Sequence, residues 1–461
     1  MRRGVIATAA LVALAVSAAP AALGDDAREP EQWAFNPSAV IDVPAAWQLA
    51  SGTGVTVAVV DTGVKLDHPD LAPNIWTNPR EIPGNGIDDD GNGYVDDVHG
   101  IDLVSPDPAE NDPSDDNGHG THVAGIIAAA LNGQGVVGVA FHAKIMAVKV
   151  LGPDGNGTLN AVAEGIRYAA ANGARIINTS LASPSDSPAL DAAIAFAASA
   201  NALVISSAGN EGRDLDVTPS YPASVPAQNL IGVAATAPDD GKALAHVSNF
   251  GRLTIPIAAP GQEILSTAMN GGYELRTGTS MAAPHVAGVA ALMSSANPSL
   301  SASDLRAKII GSSAGAAGAP VGSGFVDAAA AVRSVISASR LNVAQHPTLA
   351  LLSATRSVRA GKATLVAQAT VSGAPDAIAR FAMSSGGTSL GVLPRTGTTF
   401  TMRKTLPAGS LTGVLRIRAL DRSGRQLASV SGRIKLVPAS KQNIGGDRNT
   451  GTTGPFAYAV A

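Results

Sequence analysis

VTVAVVDTGV, residues 55–64, is an almost uninterrupted apolar run that ends at an aspartate and a glycine-containing turn. Strands of a parallel sheet often have this composition, because helices cover both of their faces. Similar runs, each bounded by Gly, Asn or Ser, recur at 143–151, 174–182, 202–210 and 229–236. The stretches between them, such as 159–173 and 188–201, have helical spacing and end at Gly or Asn, as helices commonly do. This alternation predicts an α/β fold over 54–337, with a parallel sheet and helices on both of its faces.

The sequence pattern changes near residue 340, where apolar and polar residues begin to alternate. Segments 362–371, 414–420 and 431–437 show this alternation, and turns rich in Gly, Pro and Ser separate them. A period of two predicts antiparallel strands with one buried face. We therefore expect an all-β, sandwich-like accessory domain over 338–437. The last segment, 438–461, is polar and Gly-rich, which predicts a disordered tail.

The N-terminus has the layout of a secretory signal peptide. In 1–24, two arginines precede a short Ala-rich apolar run and small residues, and acidic residues follow. This pattern predicts cleavage and export, with 25–53 as a mostly polar N-terminal segment. An N-terminal membrane anchor is the alternative, and the short apolar stretch with its cleavage-like end argues against it. No later segment resembles a membrane span, so we expect a secreted protein.

Charge and cysteine content limit the possible partners and stabilising devices. The 461 residues carry a formal net charge of −4, with no block of Lys and Arg. This argues against nucleic acid or an anionic membrane surface as the main partner. Because the chain has no cysteine, disulfides cannot stabilise it outside the cell, and bound metal is the remaining device. We expect a monomer without an organic cofactor.

Three polar residues have the chemistry of a nucleophilic site. Asp61 ends the first apolar run, and sites in open parallel sheets form at the carboxyl ends of strands. His119 lies between two glycines at the predicted start of one helix, and Ser280 lies at the start of another. A serine hydroxyl needs a base within hydrogen-bond distance, and an imidazole oriented by a carboxylate is such a base. Taken alone, the aspartate is equally consistent with a turn and the serine with a helix cap.

A nucleophilic serine also needs donors that stabilise the oxyanion, and Asn210 is the candidate. Asn210 follows a predicted strand, and its amide and the backbone N–H of Ser280 can donate to a developing negative oxygen. An asparagine in a turn is otherwise only a turn former. Pro284 is compatible with the helix of Ser280, because few amides of the first turns have an intrahelical partner. Six other histidines are expected to be structural, namely His68, His122, His142, His246, His285 and His346.

Four segments carry a resemblance to a known family. They are VAVVDTGV (57–64), HGTHVAG (119–125), SSAGNEG (206–212) and GTSMAAPHVAG (278–288). They closely resemble the signature segments of the subtilisin-like serine peptidases, or subtilases, in the same order. The resemblance covers about residues 31–337 and implies a subtilisin-like fold and serine endopeptidase activity.

The resemblance also implies the role of each residue. Asp61 orients His119, His119 acts as the base and then as the acid, Ser280 attacks, and Asn210 stabilises the oxyanion. The related sedolisin-like enzymes are disfavoured, because they carry a glutamate where His119 stands.

Two further segments match the part of the family that binds the polypeptide substrate. In subtilases they pair with an extended peptide through backbone hydrogen bonds. The matching residues are Gly155, Asn156 and Gly157 in one segment and Ser180, Leu181 and Ala182 in the other. Most subtilases have Gly where Ala182 stands. The added methyl group either narrows the pocket for the residue before the cut or has no effect.

The segment NGIDDDGNGYVDDVHG (85–100) predicts a calcium loop, because oxygen ligands recur at alternate positions. The candidate ligands are Asp88, Asp90, Asn92, the Tyr94 carbonyl and Asp96. A histidine takes the place of the closing glutamate of an EF-hand, so we expect a calcium loop inserted in a subtilase. A solvated acidic loop is the alternative.

The resemblance implies a second calcium site. Its ligands would be Asp70, Asn132 and the carbonyls of Gln134 and Val136. The N-terminal ligand of this site cannot be identified from the sequence.

Some questions stay open at this level. Secreted subtilases usually carry a folded propeptide, and the space before the catalytic domain is too short for one, so the domain folds unaided or with help from elsewhere. A non-catalytic binding protein on this scaffold is a rival interpretation, against which the filled catalytic positions argue. A narrow processing protease is another, although the acidic residues expected of a basic-site enzyme are not identifiable.

Overall fold

The computed structural model describes residues 26–36, 39–105, 111–238, 242–315 and 320–336, together with the strands between 348 and 436. The predicted signal peptide, the predicted disordered tail and His346 lie outside these residues.

The first part of the chain alternates strands and helices as predicted. Its strands are β1 (Thr56–Asp61), β2 (Gly100–Asp102), β3 (Lys144–Lys149), β4 (Ile176–Thr179), β5 (Leu203–Ser207), β6 (Leu230–Thr236), β7 (Ile257–Pro260), β8 (Ile264–Thr267), β9 (Tyr273–Arg276) and β10 (Gly324–Phe325). Its helices are α1 (Val43–Ala46), α2 (His119–Ala128), α3 (Leu159–Ala171), α4 (Pro188–Ser199), α5 (Thr279–Ala296), α6 (Ala302–Gly311) and α7 (Ala328–Arg333). Short 3-10 turns occupy Glu29–Glu31, Trp33–Phe35 and Ala72–Asn74.

Eight of these strands form one parallel sheet in the order β10-β7-β6-β5-β4-β1-β3-β2. Both faces of the sheet are buried. Val57 and Val59 of β1 belong to a core shared with α2 and α5, whereas Ala58 and Val60 belong to a second core shared with α3 and α4. Successive residues of a strand point to opposite faces, so the middle of β1, Val57 to Val60, is apolar at every position. The predicted α/β fold is thereby confirmed.

The strand order brings the carboxyl ends of four strands together. β5, β4, β1 and β3 are consecutive neighbours in the sheet. Asn210 follows β5, residues 180–182 follow β4, Asp61 is the last residue of β1, and residues 155–157 come after β3. Parallel neighbours end at the same edge, where sites of open α/β sheets form. The sheet therefore places all four candidate segments along one edge.

Side-chain caps fix the starts of α3 and α4. The Thr158 hydroxyl accepts from the Ala161 N–H at 3.1 Å, and the Ser187 hydroxyl accepts from the Leu190 N–H at 3.1 Å. Each satisfies one of the backbone donors that a helix start leaves without an intrahelical partner. Pro188 occupies the first turn of α4, where its missing N–H costs nothing.

The second part of the chain is an all-β unit. Its strands are β11 (Thr348–Arg359), β12 (Lys362–Ser372), β13 (Arg380–Ser385), β14 (Thr388–Pro394), β15 (Thr399–Pro407), β16 (Val414–Leu420), β17 (Gln426–Arg433) and β18 (Lys435–Leu436). They form two four-stranded sheets, β15-β12-β11-β18 and β14-β13-β16-β17. All pairs are antiparallel except β11 with β18. The expected all-β architecture at the C-terminal end is confirmed, as two separate sheets, whereas the domain boundaries stay a prediction.

Alternation identified these strands but not their assignment to the two sheets. In β12, Leu365, Ala367 and Ala369 are fully buried, with the period of two seen in the sequence. The segment 431–437 was expected to be one strand, and this is wrong. Its first residues end β17 in one sheet, whereas Lys435 and Leu436 form β18 in the other. No helix in the described part of the chain is long and apolar enough to cross a membrane.

Candidate active site

A buried carboxylate and an imidazole form the centre of the site. Asp61 is fully buried, and its Oδ1 lies 2.7 Å from Nδ1 of His119. The same oxygen accepts from the Thr62 N–H at 2.8 Å. Burial alone lowers the pKa of His119, but the charge of Asp61 and its hydrogen bond raise it, and the balance lies above the ordinary value. A carboxylate on Nδ1 leaves Nε2 as the proton acceptor of a neutral imidazole.

Asp115 fixes the start of α2 against the end of β1, a role that the sequence analysis missed. Its Oδ1 accepts from the Thr62 hydroxyl at 2.8 Å and from the N–H groups of Asn117 and Gly118 at 3.0 and 2.8 Å. Its Oδ2 accepts from the Thr121 N–H at 2.9 Å and from the Thr121 hydroxyl at 2.5 Å. Asp115 precedes His119 by four residues in the sequence. That short spacing was the available sign that its carboxylate could contact the start of the helix.

Gly120 allows the helix to approach the aspartate. A Cβ added there would lie 2.1 Å from the Gly63 carbonyl oxygen and 3.1 Å from the Asp61 Cβ. The first distance is far inside van der Waals contact. Any other residue at 120 would therefore push His119 away from Asp61.

Ser280 lies in the first turn of α5 and forms a reciprocal pair with Ser180. The Ser280 hydroxyl donates to the Ser180 carbonyl at 3.1 Å, and the Ser180 hydroxyl donates to the Ser280 carbonyl at 2.8 Å. Among the described side chains, no hydrogen bond joins the Ser280 hydroxyl to His119. Hydrogen bonds between nucleophile and base are often long before substrate binds.

Pro284 lies inside α5 rather than among its first unpartnered amides. It is the sixth residue of that helix, so the reason given from the sequence for its tolerance is wrong. A residue at 284 with an N–H would donate to the carbonyl four residues earlier, which is that of Ser280. Proline removes this donor, and the Ser180 hydroxyl takes its place. The proline thus keeps the Ser280 carbonyl available for a contact from the segment after β4.

Asn210 is held at the start of α5 by its oxygen. Its Oδ1 accepts from the Thr279 N–H at 2.8 Å, and the Gly209 N–H donates to the Thr279 hydroxyl at 2.9 Å. Asn210 is exposed, and its amide nitrogen has no hydrogen-bond partner among the residues described. Asn249, which the sequence analysis missed, supports the loop by accepting from the Glu211 N–H at 3.1 Å.

The two candidate substrate segments follow neighbouring strands of β1. In the first, the Gly152 N–H donates to the Asn156 carbonyl at 2.9 Å, and Gly157 forms a bridge with Leu151. In the second, the Ser207 hydroxyl donates to the Leu181 carbonyl at 3.1 Å. Hydrogen bonds of this kind fix the backbone of both segments, while several of their residues stay exposed to solvent. The exposed residues are Gly155, Asn156, Gly157 and Ala182.

A model of the subtilase family matches residues 52–346, more than half of the chain. The chain belongs to the subtilase family. This subtilase is 41% identical over 270 residues to thermitase of Thermoactinomyces vulgaris, an alignment that covers 58% of this chain and 84% of the relative. It is 39% identical over 295 residues to subtilisin BL of Lederbergia lenta, covering 64% and 96%. A solved protease structure from Pseudoalteromonas arctica is 34% identical and superposes with a TM-score of 0.56, covering 68% of this chain and 99% of that one.

These similarities confirm the predicted enzyme class, and this subtilase is a serine endopeptidase. A further relative is the intracellular serine protease of Paenibacillus polymyxa. It is 40% identical over 261 residues, and the alignment covers 55% of this chain and 71% of the relative.

The other histidines have structural contacts where they are buried. Nε2 of His122 lies 3.1 Å from the Ile264 carbonyl, and burial lowers the pKa of His122 to about 3. Nδ1 of His285 donates to the Met281 carbonyl at 2.8 Å, and burial lowers the pKa of His285 to about 4. Neutral imidazoles at these positions serve as packing and hydrogen-bonding groups.

The acidic loop of this subtilase assembles a different cluster from the predicted one. Carboxylate oxygens of Glu81, Asp90 and Asp97 all lie within 4.8 Å of one another. Glu81 and Asp97 are buried, and Oε2 of Glu81 has no partner among the described groups. Burial raises the pKa of both residues. Of the five predicted loop ligands, Asp90 alone belongs to this cluster.

The remaining loop residues make hydrogen bonds of their own. Asp88 accepts from the Asn92 and Gly93 N–H groups at 3.1 and 2.8 Å, and Asp96 accepts from the Gly84 N–H at 2.8 Å. The Tyr94 hydroxyl donates to Glu164 on α3 at 3.0 Å. The five-ligand calcium loop thus remains a prediction.

Asp26 lies beside the residues of the second predicted metal site. Its Oδ1 accepts from the N–H groups of Asn132 and Gly133 at 3.0 and 2.6 Å, and its Oδ2 is buried without a partner among the described groups. Asp70 accepts from the Asn132 amide at 3.1 Å and from the Val136 N–H at 3.0 Å. Burial, with a smaller contribution from the charge of Asp70, raises the pKa of Asp26 to about 8. Asp26 is thus a candidate for the N-terminal ligand that the sequence analysis could not place.

Proposed function

We propose that this subtilase is a secreted endopeptidase that cleaves peptide bonds through Asp61, His119 and Ser280. The 2.7 Å contact between the buried Asp61 carboxylate and His119 Nδ1 is the observation that carries this assignment. A charged acceptor on Nδ1 fixes the tautomer and stabilises the imidazolium that forms during catalysis.

In the first half of the proposed reaction, the Ser280 hydroxyl attacks the carbonyl carbon of the scissile bond, and its proton passes to Nε2 of His119. The C–N bond then breaks, and the imidazolium returns the proton to the leaving amine. In the second half, water attacks the acyl-enzyme with His119 again as the base, and Ser280 is regenerated. The Ser280 hydroxyl must turn from the Ser180 carbonyl toward His119 for the first step.

We assign the oxyanion to the Asn210 amide and the Ser280 N–H. The support is the orientation of Asn210, whose oxygen is taken by Thr279 while its amide nitrogen stays available for another acceptor. Donors fixed before the reaction stabilise a developing charge without reorganisation.

We assign an extended substrate peptide to the exposed segments 155–157 and 180–182. They lie at the same edge of the sheet, on either side of the end of β1. Strand addition by backbone hydrogen bonds depends little on the substrate side chains. Ala182 is exposed at the end of the second segment, which supports contact between its methyl group and the residue before the cut.

We propose two calcium sites, one at Asp26 and Asp70 and one at Glu81, Asp90 and Asp97. Each holds a buried carboxylate oxygen without a partner among the described groups, beside further carboxylates. Hard divalent cations prefer such oxygen ligands, and buried like charges are costly unless a cation compensates them. The bound ion would supply structural stability rather than chemistry.

Secretion rests on the signal-like N-terminal pattern. It predicts that the protein in a culture supernatant begins beyond residue 24, which N-terminal sequencing measures. Full-length protein retained in the cell would contradict it.

Fluorophosphonate labelling tests the catalytic assignment. We expect the purified protein to label and to cleave casein, and Ser280→Ala to abolish both. Ser303→Ala, which removes an exposed hydroxyl in α6, is the matched control and should leave both intact. A wild-type protein that folds but neither labels nor cleaves would favour the non-catalytic binding protein, and a cleavage profile restricted to one motif would favour the narrow processing protease.

A further inference from the structure

Arg276 is a cation beside the candidate catalytic centre that the mechanism does not use. It is the last residue of β9 and precedes Ser280 by four residues. Its Nε donates to Glu274 at 2.7 Å, and its side chain is 29% exposed. The other guanidinium N–H groups have no hydrogen-bond partner among the described residues. Glu274 therefore holds Arg276 through Nε alone, and the remaining N–H donors of the guanidinium are available to solvent or to a ligand.

The guanidinium lies close to the backbone of the residue before His119. A Cβ added at Gly118, the residue before His119, would lie 3.1 Å from Nη2 of Arg276. Burial lowers the pKa of His119 and Asp61 raises it, while the positive charge of Arg276 opposes protonation. The guanidinium thus lies beside Gly118, and its charge acts on the imidazole that is assigned to carry the proton to the leaving amine.

Arg276 does not belong to the segments assigned to the part of the substrate before the cut. Residues 155–157 and 180–182 follow strands of the main sheet, whereas β9 pairs with β8 in a separate two-stranded sheet. That sheet is attached to α2, since the Thr267 hydroxyl donates to the Thr121 carbonyl at 2.7 Å. The hairpin of β8 and β9 therefore lies against the helix that carries His119, and it is separate from the strands that bear the two assigned segments.

We propose that Arg276 binds a carboxylate on the leaving-group side of the scissile bond. The carboxylate is either the side chain of an acidic residue directly after the cut or the C-terminus of a substrate that ends there. This inference rests on the proposed function and adds a substrate class to it. Guanidinium groups present paired donors that match a carboxylate.

The expected preference for a substrate carboxylate is modest, because the ion pair between Arg276 and that carboxylate would stay partly exposed to solvent. Ion pairs at such positions contribute up to about 1 kcal/mol, which corresponds to a preference of about fivefold. A guanidinium fixed by Glu274 loses less side-chain entropy on binding than a free one, which favours the upper part of this range.

Matched peptides test the proposal in the full-length protein. One pair has Glu or Gln directly after the cut, within a longer peptide. A second pair ends at that position, with a free or an amidated C-terminus. The ratio of kcat/KM within each pair is measured for wild type, Arg276→Gln, Arg276→Lys and the control Arg167→Gln, which removes an exposed arginine on α3.

We expect wild type and Arg167→Gln to prefer Glu over Gln by about three- to fivefold, the upper part of the range that follows from the energy of an exposed ion pair. Arg276→Gln should reduce the ratio to about one, and Arg276→Lys should keep part of it. If only the pair with a free or an amidated C-terminus shows this preference and its loss in Arg276→Gln, the site binds a C-terminal carboxylate. Ratios near one in both wild-type pairs, or a preference that survives in Arg276→Gln, would overturn the inference.

The proposed function can fail separately from this inference. Fluorophosphonate labelling and hydrolysis of a peptide p-nitroanilide, which has no residue after the cut, report the catalytic centre alone. If wild type retains both while the peptide ratios are flat, only the role of Arg276 is wrong. If wild type shows neither, the proposed function is wrong and the inference with it.

Discussion

Asp115→Asn tests whether one carboxylate positions the catalytic imidazole. The substitution keeps an oxygen for Thr62, Asn117 and Gly118. It replaces Oδ2, which accepts two hydrogen bonds from Thr121, with an NH₂ group. The new NH₂ group would then face the Thr121 N–H, which is also a donor, and the Thr121 hydroxyl would lose its acceptor. We expect the first turn of α2, which carries His119, to shift away from β1.

The magnitude follows from the two lost contacts. A hydrogen bond to a charged group contributes about 1.5–3 kcal/mol, and Asp115 is only half-buried, so we expect a loss of about 2–4 kcal/mol of stability. In a domain of this size that corresponds to a fall in Tm of roughly 4–16 °C. Displacement of a catalytic group by about 1 Å can cost about a hundredfold in rate, so kcat should fall about 10- to 100-fold with little change in KM.

The pH profile separates this positioning role from a merely structural one. Burial lowers the pKa of His119 and Asp61 raises it, and the charge of Asp115 raises it further. Without that charge the pKa of His119 falls. Because the base must be neutral, the acidic limb of kcat/KM should move to lower pH in Asp115→Asn.

Hydrolysis of a peptide p-nitroanilide across pH and a thermal melt measure these effects. Asp112→Asn is the matched control, because exposed Asp112 accepts one hydrogen bond, from the Ser114 N–H at 3.0 Å. The reasoning is refuted if Asp115→Asn melts as wild type does and keeps both kcat and the acidic limb. A lower Tm with unchanged kcat and pH profile would leave Asp115 structural only.

Three further substitutions or treatments give separate expectations. Asn210→Asp keeps the acceptor for Thr279 but loses the amide donor, so kcat should fall about 10²- to 10³-fold with a near-normal Tm; a smaller change would remove Asn210 from the oxyanion site. Gly120→Ala should reduce the free energy of unfolding by at least about 1–3 kcal/mol through overpacking, and it should reduce activity. Gly311→Ala is the control, because an added Cβ there meets no atom within 4 Å, and it should leave Tm unchanged or raise it. EDTA should lower Tm, since a hundredfold calcium excess over Kd stabilises the folded state by about 2.7 kcal/mol per site. The substitution Glu81→Gln should reduce this calcium-dependent change in Tm. An unchanged melt in EDTA would exclude both calcium sites.

The candidate catalytic residues were predictable because each lies inside a long local pattern. Asp61 ends an apolar strand, and His119 and Ser280 begin helices rich in small residues, so the sequence alone indicated both their types and their order. Asp26 had no such pattern. It precedes Asn132 by 106 residues and becomes recognisable only where its carboxylate meets the Asn132 N–H.

The acidic loop shows why spacing alone is insufficient. Alternate oxygens indicated a metal site, but a loop can direct the same side chains inward or onto its own backbone. Asp88 caps N–H groups of the loop, whereas Glu81 and Asp97 turn inward beside Asp90. Membership of the cluster depends on which side chains the neighbouring helix and strands bury.

By itself the sequence determined the strand and helix types, the family and the order of the candidate catalytic segments, because hydrophobic periodicity and short motifs are local properties. The tertiary structure decided which segments are neighbours. The order β5-β4-β1-β3 is not the order along the chain, and it alone brings the ends of these strands to one edge. The tertiary structure also placed Arg276 beside Gly118, the residue before His119, and paired Ser180 with Ser280. Contacts between distant segments depend on how the two cores pack against the sheet, and no local pattern in the chain encodes them.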